Sequence, residues 1–319
     1  MILGDLAMKQ DKAFYNERMM AMVKAVALDM DGTLLDENHH VSEEVTELLK
    51  RWQSLGIRVF LATGRTALEA ADVLPEGFTP DGIVGANGMV VMVVKGDETE
   101  GGASGRWQHA LKLKEHAVDR DLVKDLLTNV QLAGIYYEIH PAEGKRFALA
   151  EDRSMLEAEV IFPEDTTVAL HESKSRQEAV DTKISWVDEL PDVPVVKIYF
   201  FSKSKEAVSR WKQLITELGK CYSFTTSSSS EHNVEIMADG VNKATGVEAL
   251  LDYYHVTPQN LLAIGDANND LPMLKLAGHP VVMKNGSEDL RRQFEQKTRY
   301  THNENGVYDY LLGMEMRFK

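Results

Sequence analysis

The feature that most constrains this chain is Ala25-Val26-Ala27-Leu28, an apolar run of strand length that stops at Asp29 and continues as Met30-Asp31-Gly32-Thr33. Residues of this kind in succession form a strand buried on both faces, as at the centre of a parallel sheet. Polar residues at the carboxyl end of such a strand lie where open α/β sheets place their ligands. Two aspartates in that position repel each other unless a cation sits between them, and an oxygen-ligated Mg²⁺ suits them. Gly32 lets the backbone turn sharply and approach whatever is bound. Asp and Gly are also ordinary turn residues, so the downstream sequence has to decide between a ligand site and a plain strand end.

A length of 319 residues allows about two domains. The formal charge is 35 − 50 = −15, which argues against nucleic acid or an anionic membrane surface as the main partner. A small phosphorylated molecule is not excluded, because it responds to local cations. Cys221 is the one cysteine, so no intrachain disulfide forms and a reducing, cytoplasmic location is expected. Cys221 itself reads as a small buried hydrophobe or a bystander. No apolar run approaches a membrane span, and Asp5 interrupts the first apolar patch, so there is no signal-peptide core. Oligomeric state leaves no signal in the sequence.

Residues 1–22 read as an N-terminal extension, with one surface helix at most. Ser42 caps a helix through Leu55, with Val45, Leu48, Leu49 and Trp52 at helical spacing and Gly56 closing it. Ile57–Ala62 is a second buried strand that ends at Thr63-Gly64-Arg65. Gly82–Ala86 is a third strand, and Asn87-Gly88 ahead of Met89–Val94 is a hairpin signal. Residues 95–106 form a solvated loop. An α+β block follows, with helices near Arg120–Val130, Gln177–Val187 and Lys205–Leu218. Its strands are Ile135–Ile139, Val195–Phe201, Cys221–Thr226 and Val234–Met237, and Ser227–Ser230 reads as an exposed flexible loop. A βα pattern then returns. A helix opens at Lys243, strand Leu261–Gly265 ends in Asp266-Ala267-Asn268-Asn269-Asp270, and Val281–Met283 is a last short strand.

Asp29, Asp31 and Asp266 thus offer hard oxygen ligands at strand ends, while Thr63 and Lys243 offer a hydroxyl and a positive charge. Phosphoryl transfer needs such a set: a nucleophile in line with phosphorus, a metal, and donors on the remaining oxygens. Lys243 alone would be a solvated helix residue, and Thr63 alone a helix cap. Their order and their positions at strand ends and helix starts are what single them out.

Asp29-x-Asp31-Gly32-Thr33, Thr63-Gly64-Arg65, Lys243 and Gly265-Asp266-x-x-Asn269-Asp270 resemble the four motifs of the haloacid dehalogenase superfamily, and more closely its Cof-type phosphatases. The likeness runs from Val23 onward and includes Asn87-Gly88 and Asn303-Glu304-Asn305-Gly306-Val307. Many relatives carry Asn-Ala where this chain has Asn285-Gly286. The resemblance implies an α/β fold, a Rossmann-like core with a parallel central sheet and an inserted α+β cap. The expected division is core at 23–88 and 234–319, cap at 89–233. It further implies Asp29 as nucleophile and Asp31 as general acid/base. Mg²⁺ would be held by Asp29, the Asp31 main-chain carbonyl and Asp266, with Asn269 and Asp270 supporting it. Thr63, Gly64 and Lys243 would grip the phosphate, with Arg65 and Asn87 at the substrate rim. The expected activity is Mg²⁺-dependent hydrolysis of a sugar phosphate or phosphorylated cofactor. A phosphomutase or phosphotransferase, or a non-catalytic phosphate binder, are the alternatives. Within the cap, Tyr136, Tyr137, Glu138 and Lys197 are contact candidates, although alternating strand residues also build a core.

Overall fold

The computed structural model describes residues 23–94, 107 and 109–315. The expectations for 1–22 and 95–106 lie outside the described residues. Strand β1 (Ala25–Leu28) is buried at all four positions. Helix α1 (Glu43–Ser54) starts at Ser42, whose side chain accepts from Val45 N, and buries Val45, Leu48, Leu49 and Trp52. Strand β2 (Arg58–Ala62) leads to α2 (Ala67–Val73), which opens with a reciprocal Thr66–Glu69 capping box. Strands β3 (Gly82–Gly85) and β4 (Val90–Val93) form an antiparallel hairpin, turned through Asn87 at φ 55° and Gly88 at φ 108°. Strand β5 (Leu111–Glu115) follows.

The chain then enters a second compact unit, Lys114–Asn242. It contains α3 (Arg120–Ala133), β6 (Tyr136–Pro141), β7 (Phe147–Leu149), α4 (Arg153–Glu159), α5 (Leu170–Glu178), β8 (Ser185–Val187), β9 (Val195–Phe201), α6 (Lys205–Leu218), β10 (Phe224–Ser227) and β11 (Asn233–Ala238). The first unit resumes with α7 (Lys243–Tyr253), β12 (Leu261–Gly265), α8 (Leu271–Leu276), β13 (His279–Val282), α9 (Glu288–Gln293) and α10 (Gly306–Glu315).

Among the described residues, the first unit's sheet has the order β13-β12-β1-β2-β3-β4-β5. It is parallel from β13 to β3, with β4 antiparallel. β1 lies between β2 and β12, with Leu28 opposite both Leu61 and Ile264. That register brings the carboxyl ends of three parallel strands together, which is where Asp29, Thr63 and Asp266 emerge. The second unit's sheet runs β10-β11-β9-β6-β7-β8 and is antiparallel except for β7 with β8. On one of its faces Phe200 packs against Trp211 of α6, with ring centroids 4.9 Å apart.

Several expectations are corrected. The boundary expected at 89 fails because Val90–Val93 completes the hairpin with β3 and so belongs to the first unit's sheet. The one expected at 233 fails because Asn233–Ala238 pairs with β9. The helix read at Gln177–Val187 is instead the end of α5, one wide turn over Ala179–Lys183, and β8. The β-branched and aromatic Ile184-Ser185-Trp186-Val187 prefers the pleated sheet. Cys221 is exposed in the turn after α6 rather than buried in a strand. The serine run is hydrogen-bonded: Ser228 Oγ donates to the Asn233 carbonyl at 2.9 Å, and Ser230 Oγ donates to Glu172 Oε1 at 3.1 Å.

Candidate active site

Four backbone segments converge at the carboxyl edge of the parallel strands. The turn after β1 supplies Asp29, 5 % exposed, and Asp31. The turn after β12 supplies Asp266 and Asp270, and the first residue of α7 is Lys243, 1 % exposed. Lys243 Nζ donates to Asp29 Oδ1 and to Asp270 Oδ1, both at 2.6 Å. Asp270 is completely committed, because its other oxygen accepts from the main-chain N–H groups of Asp266 (2.9 Å) and Ala267 (3.0 Å). Thr33 Oγ1 donates to Asp266 Oδ1 at 2.9 Å and ties the two turns together. Glycines permit this density. A Cβ on Gly32 would sit 2.5 Å from Asp266 Oδ2, and Gly32 already adopts φ +81°.

Charge is unbalanced here. Oxygens of Asp29, Asp266 and Asp270 lie within 4.8 Å of one another, against the single buried ammonium of Lys243. Burial and the Asp270 charge push the Asp29 carboxyl up to about 7, despite Lys243. Burial and the charges of Asp29 and Asp270 hold Asp266 well above the ordinary carboxylate range. Burial disfavours the charged form of Lys243, but Asp270 and Asp29 outweigh it and raise its pKa. Asn269 Oδ1 is buried with no hydrogen-bond partner among the described residues. Three crowded carboxylates and an orphaned acceptor form a hard-oxygen donor set, which fits a divalent cation.

Asp31 faces a different environment. Arg65 donates to it through Nε (2.7 Å) and Nη2 (2.6 Å), and Arg65 Nη2 also meets His39 Nδ1 at 3.0 Å. Desolvation raises the Asp31 carboxyl, yet the Arg65 fork outweighs it and holds Asp31 below its ordinary value. Thr63 is buried and its Oγ1 accepts from Arg65 N at 3.1 Å. Gly64 lies against Asn87: a Cβ there would be 3.4 Å from Asn87 Oδ1.

The sequence-derived residues fall into two groups. Asp29, Asp266, Asp270 and Lys243 share one buried cluster, and Thr33, Thr63 and Asn269 border it. Arg65 sits on Asp31. Asn87 differs from the expected rim position: it is 2 % exposed, its N–H donates to the Thr63 carbonyl at 2.9 Å, and its Oδ1 accepts from Asn269 Nδ2 at 3.2 Å. It braces one strand-end loop against another. Sequence reasoning gave no role to Thr33, His39 or Asn285. Thr33 stood inside a quoted motif and Asn285 in the Asn285-Gly286 turn, while His39 had no local signal.

A parallel αβ core with carboxylates at its strand ends and a buried lysine defines a class. Residues 26–311 match the family model of the haloacid dehalogenase-like hydrolases, and the chain belongs to that family, in its Cof-type branch. It is 27% identical over 288 residues to the 5-amino-6-(5-phospho-D-ribitylamino)uracil phosphatase YitU of Bacillus subtilis, covering 90% of this chain and 95% of that one. It is 26% identical over 304 residues to the HMP-PP phosphatase of Escherichia coli, covering 91% and 95%. A haloacid dehalogenase-like hydrolase from B. subtilis superposes with a TM-score of 0.72 at 24% identity, over 91% of this chain and 99% of that one. With relatives so named, the chain is a phosphatase of this superfamily. No helix among the described residues is long and apolar enough to cross a membrane.

Proposed function

We propose that this enzyme is a Mg²⁺-dependent phosphatase that hydrolyses a small phosphorylated metabolite through a covalent phosphate on Asp29. The observation that carries the reading is the buried cluster of Asp29, Asp266 and Asp270 around one lysine. Its excess negative charge supports a divalent cation held by Asp29, the Asp31 carbonyl and Asp266. The commitment of both Asp270 oxygens supports a bracing role for that residue and not direct ligation. When bound, Mg²⁺ neutralises charge on the phosphoryl oxygens.

Asp29 attacks phosphorus, the ester P–O bond breaks, and Asp31 gives a proton to the departing oxygen. Water then attacks the phosphorus and loses its proton to Asp31, which frees Asp29 and releases inorganic phosphate. The Arg65 fork favours the ionised, proton-accepting form of Asp31 and so supports its part in the second step. Lys243 would hold Asp29 and a phosphoryl oxygen, with the Thr63 hydroxyl and the Gly64 main chain on the remaining oxygens.

The substrate is a phosphorylated sugar or polyol first, and a phosphorylated cofactor next. The relative named for a phosphoribityl-uracil supports a phosphate ester on a polyol chain. Phosphate release from a panel of such esters tests the class. Activity is expected with Mg²⁺ and should vanish with EDTA. Asp29→Asn should lower turnover by about 10³-fold or more and abolish acid-trapped phosphoenzyme. Wild-type turnover in that variant would remove the covalent step.

A further inference from the structure

Two asparagines late in the chain take no part in the chemistry above, yet both reach back to the loop that follows Asp31. Asn285 Nδ2 donates to the Gly32 carbonyl at 2.7 Å, and its Oδ1 accepts from His302 N at 3.0 Å. Asn303 Oδ1 accepts from Glu37 N at 2.8 Å. The two carboxamides therefore hold both ends of the segment from Gly32 to Glu37.

Asn285 is itself well anchored. The turn it occupies is fastened to the Asp266 loop, with Met283 N donating to the Gly265 carbonyl (2.9 Å) and Ser287 N to the Asp266 carbonyl (3.0 Å). The fit at Gly286 is close enough that a Cβ would lie 2.8 Å from Val282 Cγ1 and 3.0 Å from the Met283 carbonyl. Gly32 has no side chain of its own to brace its φ of +81°. The Gly32–Thr33 peptide that follows it is held inside the loop by Thr33 N donating to the Met30 carbonyl at 3.3 Å, and the rest of its hold comes from outside. Asn285 supplies that hold on one side, while the Thr33–Asp266 hydrogen bond supplies it on the other.

We propose that Asn285, seconded by Asn303, is a positioning residue that fixes the Gly32 peptide and thereby the approach of the Asp31 carboxyl to the leaving oxygen. Neither asparagine belongs to the acidic cluster. The proposal rests on the acid/base reading of Asp31, and the test separates the two. p-Nitrophenolate leaves without needing a proton, whereas the alkoxide of a sugar phosphate needs one. Because kcat/KM reports the steps through the first displacement, a misdirected Asp31 should cost the alkyl ester more than the aryl ester.

The experiment measures kcat/KM for p-nitrophenyl phosphate and for the best alkyl phosphate in the wild type and in Asp31→Asn, Asn285→Ala and Asn303→Ala. Asp31→Asn should lose about 10²-fold more on the alkyl ester than on the aryl ester. Asn285→Ala should show the same selectivity at about tenfold, with Asn303→Ala in the same direction and smaller. Equal losses on both esters, or none, in the asparagine variants while Asp31→Asn remains selective would overturn the positioning role alone. No selectivity in Asp31→Asn would overturn the acid/base reading beneath it. Asn303 lies at the surface, so its variant carries the test if Asn285→Ala does not fold.

Discussion

Asp29 and Asp31 stand two residues apart, yet their neighbours drive them in opposite directions. Asp29 is buried beside Asp270 and raised to about 7, while Asp31 is gripped by Arg65 and lowered. The pH behaviour of the cation site follows. In the metal-free protein the folded pKa of Asp29 lies above its ordinary 3.8, so the native state keeps a proton that the unfolded chain has lost. This contribution to stability is present below that ordinary value and is lost as pH rises through about 7. A cation needs the ionised carboxylate, so Mg²⁺ binding should tighten as pH rises toward 7 and should release protons. Calorimetric titrations in two buffers of different ionisation enthalpy check this, and an affinity flat with pH would contradict the shift. The strand-end positions of Asp29, Thr63 and Asp266 were legible because an apolar run that stops at a polar residue is a local signal. The Arg65 fork on Asp31 and the burial of Asn87 were not, because their partners lie 34 and 182 residues away.

At the scale of elements, β6 and β9 show what period-two alternation leaves open. Tyr136, Glu138 and His140 project from one face of β6, and Glu138 is paired with Tyr199 of β9. Glu138 is wholly buried, accepts from Tyr136 OH and Arg146 Nη1 (both 2.6 Å), and pairs with Arg176 of α5. Burial alone would raise its carboxyl, yet Arg176 and His140 outweigh it and hold it at about 2. A folded pKa below the ordinary 4.5 means that its contribution is complete above 4.5 and is lost as pH falls toward about 2. Glu138→Gln would remove the buried carboxylate that Arg146 and Arg176 both face. It should destabilise the second unit by about 3 kcal/mol near neutrality, with the gap from wild type narrowing as pH falls below that range. Denaturant titrations at several pH values read it, and a constant gap would refute it. Of the residues weighed as substrate contacts, Tyr136 and Glu138 are thus joined in one buried network, while Tyr137 donates to Asp152 and Lys197 pairs with Glu235. The first helix of the first unit was readable from its Ser42 cap. The next is capped by Thr66 and not by the Thr63 that the sequence offered for that role, and α5 and β8 were misread because a short polar helix carries no apolar stripe.

Over the whole molecule the chain forms two compact units, each with its own sheet and buried core. Every residue of the acidic cluster belongs to the first unit. Mg²⁺ at a hundredfold excess over its Kd should therefore stabilise that unit by about 2.7 kcal/mol and leave the second unmoved. Differential scanning calorimetry with and without Mg²⁺ reads this as one shifted transition, and equal shifts in both would refute it. The sequence by itself determined the order of elements in the core and the carboxylates at its strand ends. Apolar runs, caps and turn glycines act over a few residues, and the motifs are built from them. Only the tertiary structure decided where the second unit begins and ends, which carboxylate is paired with arginine, and which asparagines hold the Asp31 loop. Those outcomes depend on contacts between residues far apart in the chain, made only when the strands take their register.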